Sequence, residues 1–354
     1  MGEFVLFKEF KIMKKRVLFY SSVSNKDLFY IQRFYSIDID ILVELGFSVI
    51  VTNRILTFIW FWKYDISFLY FYKKSIFAAI ISKLYNKRIY FTGGIDDLNK
   101  NTTSDFKYFL QKILFKSGYF LCTKCIIVSH SDLNNIRRIF KKELDKIEFS
   151  HHAIDINLFK VKEEFHKQDI FSTILWMGSI NNVIRKGVDK AIYSFAQLIE
   201  SQDLSNFNFY IVGKQGEGTQ YLKSIIAKLK LEKRIIFTGA LSEEEKIAYL
   251  KKSKYYFQLS KYEGFGLAAL EALASDNIVI HSGEGGLKDA VNKYGIVFNI
   301  QNDITEESHK LRKMILELSE TELILNKKEA SFYIECNFSQ GRRMNDFHRI
   351  LSSI

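Results

Sequence analysis

Proline is absent from this chain, so its turns have to be made by glycine, asparagine, aspartate and serine. Cysteine is scarce: Cys122, Cys125 and Cys336 are too few, and odd in number, for the disulfide framework of a small secreted domain. A reducing cytoplasm is the simplest compartment. Cys122-Thr-Lys-Cys125 has the spacing of half a zinc site, but no second pair and no neighbouring histidine pair completes it, and the two thiols read as core residues. The histidines show no zinc or metalloprotease spacing, so no metal is expected. Long hydrophobic runs are lacking too. The nearest approach to a membrane span, Ile55 to Tyr72, is cut by Lys63 and Asp65 into pieces too short for about 30 Å of hydrocarbon. The N-terminal lysines are not followed by the apolar stretch and small-residue cleavage site of a signal peptide. Solenoid-period repeats and low-complexity tracts are missing as well.

What is present is a packed globular composition, 47% apolar and 26% charged, which excludes a disordered chain. Its 354 residues suffice for about two domains, each able to close a core without disulfides or metals. Lysine and arginine outnumber aspartate and glutamate 51 to 40, a net charge of +11. That excess points to a partner bearing negative charge: phosphates, nucleic acid or an anionic lipid surface.

Apolar runs alternate with amphipathic stretches along most of the chain. Arg16 to Ser21, Ser48 to Thr52, Ile66 to Phe71, Arg88 to Phe91 and Cys125 to Val128 read as strands. Helical patterns lie between them, at Lys26 to Leu45 (closed by Gly46), Ser75 to Tyr85 and Asp105 to Ser117. From Asn157 to Ile170 the pattern lapses into charged residues and reads as a linker. A second series follows, with strands at Thr173 to Met177, Phe209 to Val212, Ile235 to Thr238, Tyr255 to Leu259, Ile278 to His281 and Ile296 to Phe298. The pattern predicts an α/β protein of two doubly wound Rossmann-like domains facing a central crevice. Their bounds are 1–156 for the first domain and 171–335 for the second, with a linker at 157–170. A terminal helix, 336–354, is expected to return toward the first domain.

The segment from Ser260 to Ala274 runs from a strand end through a glycine-bearing turn into a helix. Gly264 and Gly266 permit close backbone approach, and the free amides near Leu267 and Ala268 form a positive helix end suited to phosphate. Glu263 precedes that helix and Glu271 lies within it. Taken alone, two glutamates eight apart are ordinary helix-flanking acids.

The surrounding sequence resembles the E-x7-E region of retaining, GT-B-fold glycosyltransferases of family 4. Ile174-Leu-Trp-Met-Gly178 followed by Arg185-Lys186-Gly187-Val-Asp189 is similar to that family's strand, glycine and R-K-G-x-D stretch. Phe209 to Gly213, Ile236 to Gly239 with Leu241 to Glu244, and Ile278 to Asp289 resemble its later strands and turns, in order and spacing. In the first half the likeness is thinner, resting on Ile126 to Ser129 and His151 to Phe159. The departures are Ser179 where relatives place arginine, Asp289 where glutamate is usual, and Ser21 to Asn25 in place of a glycine pair.

The resemblance implies that Glu271 holds the nucleotide ribose and Glu263 the transferred sugar. It places the Gly264, Phe265, Gly266, Leu267 and Ala268 backbone on the diphosphate, with Lys186 and Arg185 neutralising it and Gly178 and Gly239 in the nucleotide cleft. A fixed cation beside a departing diphosphate is physically apt, although Arg185-Lys186 also reads as a solvated loop pair. Thr92-Gly-Gly-Ile-Asp96-Asp97 follows a strand where many relatives carry histidine. Asp96 reads equally as an acceptor for sugar or acceptor hydroxyls or as a helix cap. Asp38-Ile-Asp40 mimics a metal-binding D-x-D, but residues two apart on a helix do not share a face. His151 and His152 read as packed hinge residues.

The function implied is a retaining, metal-independent glycosyltransferase that needs no cofactor beyond its nucleoside diphosphate sugar donor. It would act on a glycan or lipid-linked acceptor at the inner face of the cell membrane. A GT-B-fold epimerase or a silent nucleotide-sugar binder shares these features. A nucleic-acid-binding protein is disfavoured, because the basic residues are scattered and the aromatics fall in strands and helices. The run Phe58-Ile-Trp60-Phe-Trp62 beside Lys63 suits an anionic membrane surface, with the first domain's core as the competing place for it.

Overall fold

The computed structural model describes residues 15–100, 103–140, 144–161 and 166–352. Two parallel sheets organise the chain. The first contains β1 (Arg16–Tyr20), β2 (Ser48–Thr52), β3 (Ile66–Tyr70), β4 (Arg88–Thr92), β5 (Lys124–Ile127) and β6 (Ile147–Phe149), in the order β2-β1-β3-β4-β5-β6. The second contains β7 (Gln168–Ile174), β8 (Asn208–Val212), β9 (Ile235–Gly239), β10 (Ser253–Gln258), β11 (Ile278–His281) and β12 (Ile296–Val297), in the order β12-β11-β10-β7-β8-β9. Helices cover both faces, so a central strand such as β3, Ile-Ser-Phe-Leu-Tyr, is buried along its whole length. In the second sheet the order reverses between β7 and β10, and the crevice beyond their carboxyl ends is where such sheets take ligands.

Local chemistry sets the element ends. The helix Arg33–Glu44 stops where Gly46 turns left-handed at φ 88°. There the Gly46 and Phe47 amides donate to the carbonyls of Val43 and Leu42 at 2.9 and 3.0 Å. The long amphipathic stretch expected from Lys26 is broken at Gln32, whose extended backbone separates this helix from a short one at Leu28–Ile31.

Several boundaries differ from the sequence reading. Strand β7 occupies Gln168–Ile174 instead of Thr173 to Met177, because β10 pairs with it from Gln168 and β8 from Ile170, ahead of the apolar run. The apolar Leu175-Trp-Met177 that suggested a strand forms the loop beyond it. Strand β6, with no residue fully buried, gave no apolar signal and was not expected. The segment 157–170, expected as linker, holds most of the helix Ile156–Phe159, with Phe159 fully buried, and the start of β7.

At the other end, the helix Glu320–Phe338 runs through the expected boundary at 335 and packs Ala330, Ile334 and Phe338 onto the second domain. The chain then turns at Ser339, and the helix Gln340–Ser352 sinks Phe347, Ile350 and Leu351 into the first domain's core. Where the two crossings between domains meet, the Ile154 amide donates to the Phe338 carbonyl at 3.0 Å.

A buried ion pair fastens that last helix. The Arg343 guanidinium donates from Nε and Nη2 to the two oxygens of Asp38, at 2.5 and 2.7 Å, and from Nη1 to the Ser150 and His151 carbonyls. Both side chains are 1% exposed. Asp40, two residues on, faces solvent, so Asp38-Ile-Asp40 is a structural clamp and not a paired metal ligand. Cys122 and Cys125 are buried, Cys125 against the Tyr72 hydroxyl at 2.6 Å, and burial pushes both thiols up.

Candidate active site

Three adjoining cavities run through the crevice. The central one, of about 310 Å³, is lined by Lys186, Glu263 and the turn Gly264 to Ala268 on one side and by Gly94 and Asp96 on the other. A second, also about 310 Å³, shares Phe34, Leu267 and Ala268 with it and reaches Glu271, Lys246 and Arg33. A third, about 350 Å³, shares Phe71, Gly94 and Asp96 and opens into the first domain between Tyr72 and Phe115.

The turn after β10 makes the central cavity. Gly266 adopts φ 100°, and a Cβ there would stand 2.7 Å from Leu287, so the helix Leu267–Ala274 begins on a residue with no side chain to cap it. Its first amides therefore remain as donors at the cavity wall. A Cβ on Gly264 would collide with the Asp96 carboxylate and come within 3.2 Å of Gly94, which is how closely the two domains approach here.

Glu263 is the most connected group. Its Oε1 accepts from Lys186 Nζ at 2.5 Å, Ser260 Oγ at 2.6 Å and Gln258 Nε2 at 3.0 Å. Burial pushes this carboxyl up, but the Lys186 charge and these hydrogen bonds outweigh it and hold the group below the usual glutamate range. Across the cavity, burial and the Glu263 charge push Asp96 up, against Lys186 and Arg185. Glu271 accepts from Lys246 Nζ at 3.1 Å, and Lys246 in turn meets Glu243, which accepts from Arg33 of the first domain at 3.3 Å. Burial raises Glu271 in spite of Lys246.

Of the residues singled out in the sequence, Glu263, Lys186, Asp96 and the backbone from Gly264 to Ala268 surround one cavity, and Glu271 lines the next. Gly178, Gly239 and Arg185 line none of the three. Gly178 is covered by the Trp176 ring, and Gly239 ends β9, two strands out from β7. The Arg185 guanidinium turns back to Asn182 Oδ1 at 3.0 Å.

Sequence reasoning missed Phe34, Phe71 and Gln258, and read His152 as a packed or hinge residue without placing it at the cavity. His152 lines the central cavity among Tyr70, Phe34 and Phe265, with Nδ1 buried and without a hydrogen-bond partner, and burial holds it well below the ordinary histidine range. Phe71 stands at φ 59° just past the end of β3, a backbone state that bulky residues seldom adopt and that functional sites favour. Its place beyond a strand end was the available signal.

The crevice is bridged away from the cavities as well. The Tyr262 hydroxyl donates to Asp132 Oδ1 and accepts from Asn135 Nδ2, both at 2.9 Å, while the Ile95 amide donates to Asp132 Oδ2 at 3.1 Å. Nearby, Asp289 of the second domain accepts from the His130 amide at 2.7 Å, at the start of the helix His130–Ile139, and meets its ring at 2.9 Å. Among the described residues no group of three or more His, Cys, Asp or Glu stands together as a metal site.

Residues 160–329 match the family described as glycosyl transferases group 1. An uncharacterized glycosyltransferase of Methanocaldococcus jannaschii is 26% identical over 53% of this chain and 49% of its own length. The alpha-monoglucosyldiacylglycerol synthase of Streptococcus pneumoniae is 23% identical over 68% of this chain and 54% of its own. The chain thus spans about half the length of these curated relatives. The crystal structure of Anabaena HepE in complex with UDP and glucose superposes with a TM-score of 0.75 at 16% identity, over 96% of this chain and 99% of that one. The fold is that of the GT-B glycosyltransferases.

Proposed function

We propose that this protein is a retaining glycosyltransferase that moves a sugar from a nucleoside diphosphate sugar to a hydroxyl of a glycan or lipid-linked acceptor. The observation that carries the reading is the juxtaposition, around one cavity, of an ionised Glu263–Lys186 pair, the uncapped start of the helix Leu267–Ala274 and Asp96 of the opposite domain. The family match over residues 160–329, and a structural neighbour crystallised with UDP and glucose, support it.

In this reading the ribose lies against Glu271 and the diphosphate on the helix amides beside Lys186. Charge builds on the departing phosphate, and a fixed ammonium and pre-aimed amides stabilise it without reorganising. They also supply the positive charge that a divalent cation would otherwise bring, so the reaction is read as metal-independent. Glu263 Oε1 is taken by three donors, and Oε2 is the oxygen left to receive a sugar hydroxyl. Asp96 faces the sugar from the acceptor side. No protein nucleophile is invoked. The anomeric C–O bond to the diphosphate breaks, the acceptor oxygen bonds to the same face, and its proton passes to the departing phosphate oxygen.

The test is nucleotide binding by calorimetry, screened over UDP, GDP and ADP. Replacing Glu271 by alanine removes a charge-assisted ribose contact worth about 1.5 to 3 kcal/mol, so affinity should fall by roughly ten- to a hundredfold with the fold intact. A Glu271→Ala protein that binds the preferred nucleotide as tightly as the parent would overturn the assignment.

A further inference from the structure

Three adjoining pieces of the first domain turn large apolar side chains outward. The helix Asp105–Leu121 buries Phe115, Gly118 and Tyr119 against its sheet. At about 100° per residue, the opposite arc of roughly 100° carries Phe106, Phe109, Leu110, Ile113 and Phe120. All five are exposed, Phe106 at 79% and Phe120 at 71%. Lys107 borders this stripe on one side, and Lys112 and Lys116 on the other. The helix Ser75–Leu84 packs between this helix and the segment Ile55–Ile59, and it exposes Phe77, Ile80 and Leu84 on one face.

The third piece is the aromatic run, and the structure divides it. Phe58 is fully buried, its carbonyl accepting from the Tyr64 hydroxyl at 2.9 Å. Trp60 and Trp62 are exposed, and Phe61 stacks on Tyr85 at 4.3 Å, joining the run to the end of the neighbouring helix. The inner sides of all three pieces share one core through Phe58, Tyr64, Ala78, Ala79, Phe115 and Tyr119. Their outer sides therefore face away from it together.

The charge on this face has one dominant sign. The helix Ser75–Leu84 contains no acidic residue and the helix Asp105–Leu121 only Asp105. Asp97 nearby pairs with both Lys73 and Lys107, which leaves a net positive charge even there. Two copies meeting through this face would oppose lysine to lysine. An anionic bilayer instead takes aromatic side chains at headgroup depth and lysines at its phosphates. Among the described residues no helix is long and apolar enough to cross a membrane, so the contact is with the surface.

We propose that the helices Asp105–Leu121 and Ser75–Leu84, with Trp60 and Trp62, form the docking face for an anionic lipid bilayer. Gln111 and Phe115 of the first of these helices also line the third cavity, together with Tyr72, Lys73 and Asp96. That cavity lies on the inner side of the helix, so docking holds it about one helix diameter, roughly 10 Å, from the lipid surface, within reach of the hydroxyl of a lipid-linked acceptor. This consequence rests on the proposed transferase reading; the docking face does not.

Sedimentation with vesicles of phosphatidylglycerol and phosphatidylcholine, against phosphatidylcholine alone, tests it. The parent should pellet with the anionic vesicles at low salt and detach in part at high salt. The pairs Phe106→Ser with Phe109→Ser, Lys112→Glu with Lys116→Glu, and Trp60→Ser with Trp62→Ser should each weaken binding about tenfold or more. Lys223→Glu with Lys228→Glu, on the second domain, should not. Because none of these side chains is buried, far-ultraviolet circular dichroism and calorimetric nucleotide affinity should match the parent, which separates failure here from failure of the transferase reading. The proposal falls if the parent ignores anionic vesicles, if the face variants bind like the parent, or if the second-domain control loses as much. It also falls if the parent is a dimer that Phe106→Ser with Phe109→Ser makes monomeric.

Discussion

Lys186 and Arg185 are neighbours in sequence, yet only one of them reaches the central cavity. The helix Ile180–Arg185 ends between them: Arg185 folds back on its own turn, while Lys186 is the cap residue and points across to Glu263. Replacing Lys186 by alanine should therefore depress turnover far more than replacing Arg185, by about a hundredfold or more if the ammonium stabilises the leaving diphosphate. Equal and small losses would make both residues solvated surface charges. A pH dependence should accompany the loss. Lys186 is the largest influence holding Glu263 low, and without it burial raises that carboxyl. Glu263 then protonates as pH falls toward its new value, so the residual activity of Lys186→Ala should rise with pH where the parent's is flat.

At the scale of elements, the sharpest prediction belongs to the helix Gln340–Ser352. Breaking its buried pair from one side, as Arg343→Met or Asp38→Leu, strands a charge in the core and should cost about 3 to 5 kcal/mol in urea unfolding. The double variant should recover most of that loss; additive losses would show that the pair is not coupled. Nothing in Asp38-Ile-Asp40 announces this partner, because the contact spans 305 residues and sequence pattern carries only short-range information. The same limit explains other differences. The alternation of apolar runs placed most strands, and the glycine-bearing turn placed the helix Leu267–Ala274, since both signals are local. Strand β7 was displaced because its polar beginning is fixed by pairing with β10, and β6 was missed because an edge strand of half-buried residues leaves no hydrophobic trace. In the site, Glu263, Lys186 and the turn amides lie near one another through a strand-end geometry the sequence does express. His152 and Phe71 arrive from the other domain by tertiary packing, and of the two only Phe71, just past a strand end, carried a local signal.

Over the whole molecule, the two domains are held face to face by Tyr262 with Asp132 and Asn135, and by Asp289 at the start of the helix His130–Ile139. Tyr262→Phe leaves Asp132 buried with one oxygen unpaired, a loss of about 1 to 3 kcal/mol, or roughly five- to a hundredfold in an opening equilibrium. Combined with Asp289→Asn, it should raise the radius of gyration measured by X-ray scattering, while nucleotide binding by the second domain persists. An unchanged radius would mean that these bonds do not hold the crevice shut. The way such opening proceeds is already constrained by the chain itself. It passes between the domains twice, near Ile154 and at Ser339, and the two passages lie against each other, joined by the hydrogen bond from Ile154 to Phe338. A body tethered by one strand can slide and swivel in many directions, but one tethered by two adjacent strands turns about them as a door turns on its post. The far rim of the crevice then sweeps through the widest arc and the tethered edge scarcely moves. Substrates would enter and leave on the side away from the two passages.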